Sequence, residues 1–255
     1  MKKLIKYVIL DILRNKIVIG YTVLLLLISL SVFNLEDNAS KGLLSLLNII
    51  LIIVPLLSII FATIYVYNAA EFIELLVSQT VKRKTLLSSI YIGLTVSLMF
   101  AVLIGIGLPV LIYDQTAVGL LLILAAFLLT AIFVGMAILA SILSRDKAKG
   151  IGIAILTWFY FAIIFDGLVL FIIYQFSDYP IEKASIALTA LNPIDLTRVM
   201  VLLKMDISAM MGYTGAVFKA FFEGTSGYIF ISLTMIVWVF SPILLAIKNF
   251  NNKDL

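Results

Sequence analysis

The chain of 255 residues has no cysteine and no histidine, only five prolines, and a charged fraction of only 13%. Without cysteine there is no disulfide, no thiolate nucleophile and no thiolate metal ligand. Without histidine there is no imidazole base and no imidazole metal site, which removes serine-histidine hydrolysis and zinc-type proteolysis. No G-x-x-x-x-G-K-[ST] phosphate loop occurs, so any ATP must be bound by another chain. No paired-carboxylate motif stands within the apolar stretches, and an intramembrane enzyme has no residues to support it.

Apolar sequence is what the chain has in excess: 64% of it is hydrophobic, and its mean hydropathy is +1.22. Six long apolar stretches lie near residues 17–34, 43–67, 86–112, 118–143, 150–176 and 227–247. Each is close to or beyond the roughly 20 residues that a helix needs to cross the hydrocarbon layer. The expected fold class is an all-α integral membrane protein, one domain over residues 1–255 with six transmembrane helices. Charge placement supplies its orientation. Thirteen of the eighteen Lys and Arg residues fall in the N-terminal segment, the second-to-third connection, the fourth-to-fifth connection and the tail. The other connections hold eight acids, among them Glu36, Asp114 and Asp195. Cytoplasmic connections carry the basic excess, so both termini are expected in the cytoplasm. The net charge of +4 is spread along the chain rather than gathered in one patch, which points to membrane lipid and away from nucleic acid.

Residues 2–15 place Leu4, Ile5, Val8, Ile9, Ile12 and Leu13 on one helical face, opposite Lys2, Lys3, Lys6, Asp11 and Arg14, as in a helix lying in the interface plane. The basic start and apolar run look like a secretory signal, but no A-x-A site follows, and the segment reads as a retained anchor. Asn38-Ala39-Ser40 matches a glycosylation acceptor, for which an ordinary loop is the better reading. Pro55 stands inside the second span and is expected to kink it. Ala131 and Gly135, and Gly105 and Gly107, would let helices approach closely.

Three connections carry pattern. Residues 68–85 put Phe72, Leu75 and Leu76 on one helical face beside Glu71 and Glu74, followed by Lys82, Arg83 and Lys84. The connection 144–150 is short and basic, with Arg145, Lys147 and Lys149. Residues 177–226 are too many for a turn and too apolar for a disordered linker. There Asn192-Pro193 supplies an N-cap and a first-position proline, Asp195 lies in the first turn, and Leu196, Val199, Met200 and Leu203 form a stripe. A second helix is expected after Asp206, carrying Met210, Tyr213, Val217 and Phe221. Both helices are expected at the outer interface, where their apolar surface could serve an external partner.

Asp166 is the only formal charge deep within a span, where ionised burial costs roughly 2.5 to 3.5 kcal/mol. Two readings stay open: a functional proton or cation site, or a hydrogen bond to a hydroxyl or amide that glues helices together. The methionines at 200, 205, 210 and 211 could offer thioethers to Cu(I), although helical spacing favours packing.

The segment Glu74-Leu75-Leu76-Val77-Ser78-Gln79-Thr80-Val81-Lys82-Arg83, with six spans and a structured loop before the last, resembles an ABC-2 type transporter permease. Asn192-Pro193-Ile194-Asp195-Leu196-Thr197-Arg198-Val199 and Met211-Gly212-Tyr213-Thr214-Gly215-Ala216-Val217-Phe218 resemble the outer loop of NosY-type permeases. Those are membrane subunits of the ABC complex that matures nitrous oxide reductase. The resemblance implies the ABC-2 exporter fold and a homodimer in the bacterial cytoplasmic membrane. It implies a separate cytoplasmic ATPase, carrying ATP and magnesium, docked on Glu71, Phe72, Glu74, Leu75, Leu76, Arg83, Arg145 and Lys147. It also implies a periplasmic copper-binding partner on Asn192, Pro193, Asp195, Arg198, Met210, Met211, Tyr213 and Phe218. The chain itself would bind no metal or cofactor. The alternative is a stand-alone secondary transporter that uses Asp166 as a proton or cation site.

Overall fold

The computed structural model describes residues 2–36, 38–78, 82–176, 182–205 and 225–252, and among these every regular element is helical. In chain order they are α1 (Lys2–Leu13), α2 (Lys16–Leu35), α3 (Ala39–Asn68), α4 (Ala70–Ser78), α5 (Arg83–Tyr113), α6 (Ala117–Leu143), α7 (Lys147–Gln175), α8 (Glu182–Ala190), α9 (Pro193–Lys204) and α10 (Thr225–Asn251). Six of them, α2, α3, α5, α6, α7 and α10, are long and apolar enough to cross a membrane. The protein is therefore a multi-pass membrane protein, and the six apolar stretches of the sequence each fall on one of these helices, the fifth running one residue past the end of α7. Alternating spans put residues 14–16, 68–78, 82–83, 143–147 and 251 at one end of the bundle, called here the basic end.

Polar caps stop and start these helices where the sequence changes character. Asn15 caps α2, Thr116 caps α6 and Asp146 caps α7, each accepting a backbone N–H of the first turn. Asn38 does the same for α3, so the Asn38-Ala39-Ser40 tripeptide works as a helix cap. Pro55 lies buried inside an uninterrupted α3.

The small side chains of α6 make it the centre of the bundle, and it packs against α3, α5, α7, α9 and α10. Gly135 faces Pro242 of α10, and the Ala131 carbonyl accepts from the Tyr91 hydroxyl of α5. Of its most apolar stretch α6 buries 61% within the chain, whereas α7 buries 6%. Helix α1 lays Val8 and Ile12 against α5, and its Asp11 carboxylate accepts from Tyr65 of α3.

Two spans widen locally into π-turns, Leu103–Gly107 in α5 and Tyr160–Ile164 in α7. Such turns let a carbonyl bond outside its own helix. In α5 the Gly105 carbonyl accepts from Ser29 of α2. A Cβ at Gly105 would collide with Leu25 and crowd the Thr22 carbonyl, so only glycine permits this approach.

The largest departure from expectation concerns α9. The sequence places it at the outer interface with its apolar stripe turned to a partner; the structure seats it inside the bundle, against α6, α10 and α3. Eight of its twelve residues are buried, Leu196, Val199 and Met200 among them. The stripe spacing was right, but apolar residues on a short helix cannot say whether protein or an outside partner covers them.

Candidate functional site

Two places gather the chain's few polar side chains. The first is the basic end. Helix α4 buries Ile73 and leaves Glu71, Phe72, Glu74 and Leu75 exposed, with Leu76 half-buried. Phe72 packs against Tyr7 of α1, the tilted rings 5.6 Å apart. Arg83 opens α5 and donates at 3.3 Å to the carbonyls of Phe250 and Asn251, placing a cation on the last turn of α10, where the helix dipole favours one. Lys147 donates to Asn68 Oδ1 at 2.8 Å, and Tyr67 donates to the Ser144 carbonyl at 2.9 Å. A Cβ at Gly150 would run into the Tyr67 hydroxyl, so glycine is what lets this tyrosine lie across the start of α7. A cavity of about 310 Å³ lies between these pieces, lined by Tyr67, Ile73, Glu74, Ser144, Arg145 and Phe250 among others. The eight residues assigned to docking from sequence thus come from connections that meet at one end of the bundle. Thr80, where the family usually has proline, lies outside the described residues.

The second place is at mid-span. Helices α8 and α9 form a hairpin whose tip reaches the middle of two spans. Asn192 donates at 2.9 Å to the carbonyl of Phe161, which stands fourteen residues from either end of α7. Trp238, thirteen residues from either end of α10, donates at 3.0 Å to the Ala190 carbonyl and meets Phe161 edge-on at 5.5 Å. The hairpin is therefore re-entrant, and non-helical backbone is tolerated at its tip because Asn192 satisfies it. Asn192 also caps α9 through Ile194 N at 3.0 Å and donates to Asp195 at 2.9 Å.

Asp166 of α7 meets this hairpin. Arg198 Nη1 lies 3.1 Å from Asp166 Oδ2 and 3.1 Å from Asp195 Oδ1, so one nitrogen serves two carboxylates. Burial, reinforced by the neighbouring Asp166 carboxyl and opposed by Arg198 and Asn192, pushes the Asp195 carboxyl up to about 7. The sequence reading looked for a hydroxyl or amide as the structural partner of Asp166; the structure supplies a guanidinium. Asn192 and Pro193 are buried and Asp195 nearly so, and Asn192 ties the hairpin to α7. Met210, Met211, Tyr213 and Phe218 lie outside the described residues, as does the helix expected after Asp206. Sequence reasoning missed Phe161, Trp238 and Tyr67. A tryptophan in an apolar run signals at most a need for a hydrogen-bond partner, and a backbone carbonyl leaves no signal at all.

In comparison with known proteins, no family model and no curated protein matches this chain.

Proposed function

We propose that this chain is the membrane-spanning, non-catalytic subunit of an ATP-driven transporter of the ABC-2 permease type, working as a homodimer in a bacterial cytoplasmic membrane with both termini in the cytoplasm. The observation that carries this reading is the convergence at the basic end. An amphipathic helix with Glu71, Phe72, Glu74 and Leu75 exposed, a basic turn at Arg145 and Lys147, and the end of the last span surround one cavity. Such a surface suits a cytoplasmic ATPase that holds ATP and magnesium on its own residues. Helix α1 then lies in the interface plane, its charges outside the hydrocarbon.

The bonds at this end supply a route for force. A push on α4 reaches α3 through their short joint, α7 through Lys147 and Asn68, and α10 through Arg83. Helices α7 and α10 are the two spans that grip the tip of the hairpin, so displacement at the basic end is delivered at mid-span and to the loop beyond. In the NosY-type version of this reading, that loop addresses a periplasmic copper-binding protein. With no thiol and no imidazole, the chain is suited to transmitting force to that partner, or to passing a sulfur-containing species, more than to ligating copper itself.

Purification from a native membrane tests the reading. The expected outcome is co-purification of an ATPase, and a loss of coupled activity in Glu74→Ala and Leu75→Ala chains that still insert. Transport by the purified chain alone, without ATP and abolished by Asp166→Asn, would replace this reading with the secondary transporter.

A further inference from the structure

We propose that Asp166, Asp195 and Arg198 form a binding site for a single proton within the membrane-spanning bundle, and that its occupancy decides how firmly the α8–α9 hairpin is seated on α7. The inference stands independently of the ATP-driven reading.

The geometry leaves room for one proton and a need for it. Arg198 spends a single nitrogen on both carboxylates, and the second oxygen of Asp195 is taken by the Asn192 amide. Asp166 Oδ1 is buried with no hydrogen-bond donor among the described residues. The Asp166 and Asp195 carboxylates each lie 3.1 Å from the same guanidinium nitrogen, so two like charges face one cation and a proton on either removes their repulsion. Fully ionised, the trio bears one net negative charge and an unsatisfied oxygen; with one proton it is neutral and its acceptors are shared. The side chains of Arg198 and Asp166 are about one-third exposed within the chain, so the trio is not sealed inside the bundle.

Among the described residues little else can titrate here. Of the elements packed on α9, α6 has no titratable residue; α10 has Tyr228 and, near its basic end, Lys248; α3 has Lys41, Tyr65 and Tyr67 near its two ends; α8 has Glu182 and Lys183 at its start. Helix α7 adds Tyr160 and Tyr174, with Lys147 and Lys149 at its basic end. Among the described residues only Asp166, Asp195 and Arg198 form ion pairs at this place. The proton joins α7 to α9 directly. Its departure leaves two like charges on facing helices with one guanidinium between them. Because the Asp195 carboxyl is raised to about 7, the seated hairpin holds the proton more tightly than an exposed carboxyl would. Seating is firmest in acid, weakens as pH climbs out of the ordinary carboxylate range, and levels off above about 7.

The molecule carries its own reporter. It has two tryptophans, and Trp238 bonds the hairpin tip. In a Trp158→Phe chain in lipid nanodiscs, with no ATPase present, Trp238 emission is followed from mildly acidic to mildly basic pH, with helix content checked by circular dichroism. The expected result is one transition with the slope of a single proton near pH 7, lost in Asp195→Asn and in Asp166→Asn. Arg198→Lys is expected to keep the transition with a displaced midpoint. The proposal is overturned by emission that does not change with pH, by a transition that survives both aspartate substitutions, or by one that follows sodium at constant pH. Should an aspartate variant fail to insert, the titration of the Trp158→Phe chain and its sodium control still decide the matter. Failure here leaves ATPase co-purification untouched, and failure of that experiment leaves this one standing.

Discussion

The π-turns of α5 and α7 are the same backbone device put to different use. At Leu103–Gly107 the turn is lined by glycine, its Gly105 carbonyl is taken by Ser29, and among the described residues no ion pair lies at it. At Tyr160–Ile164 the Phe161 carbonyl is taken by Asn192 of a re-entrant hairpin, and an Asp-Arg-Asp trio joins the same two elements one turn further on. The first joins two spans through small residues and one neutral bond, the ordinary way helices pack in lipid. The second holds a hairpin by charge, which is costly in lipid and, on the proposal made above, sensitive to a proton. The difference teaches that a π-turn marks where a span is gripped, while the chemistry of the grip decides whether the joint is fixed or adjustable.

Substitutions can break that contrast, and their expected effects are graded. Arg198→Ala should cost most, about 3 kcal/mol, because it leaves two facing carboxyls without their cation; thermal unfolding in detergent would measure it. The loss should be larger at mildly basic than at mildly acidic pH, since acid neutralises one of the two carboxyls that remain. Asn192→Ala removes a helix cap and the partner of a mid-span carbonyl, and should cost about 2 kcal/mol by the same measurement. Gly105→Val should cost roughly 1.5 kcal/mol through overpacking against α2, with no pH dependence. Ser29→Ala should cost about 1 kcal/mol by orphaning the Gly105 carbonyl. If Ser29→Ala proves as damaging as Arg198→Ala, or as dependent on pH, the two joints are of one kind and the contrast is void.

The membrane helices were legible because each demands a long uninterrupted apolar run, and the bilayer's thickness sets that length for any sequence. The caps were legible for a similar reason: Asn192-Pro193 followed by Asp195 satisfies a helix start by local bonds alone. The basic connections around Arg83 and Lys147 could be read as one end of the bundle because alternation of spans puts them together. Their contacts could not. That Arg83 would reach the last turn of α10, or that Gly150 would make way for Tyr67, depends on side chains brought from 67 to 251 in the numbering. The destination of α9 was misread for a related reason. Its stripe reports that something apolar covers it, and the identity of the cover is a matter of what else is nearby.

Sequence alone determined that this chain lives in a membrane, how many helices cross, which connections share an end, and which chemistries its missing side chains rule out. These follow from solvent and covalent composition, which act on each segment separately. Tertiary structure decided that Asp166 and Arg198, thirty-two positions apart, share a bond at 3.1 Å, and that the α8–α9 hairpin turns back into the bundle. Pairing within lipid is set by which residues lie at the same depth on facing helices, and depth is a property of the assembled bundle that no single segment contains.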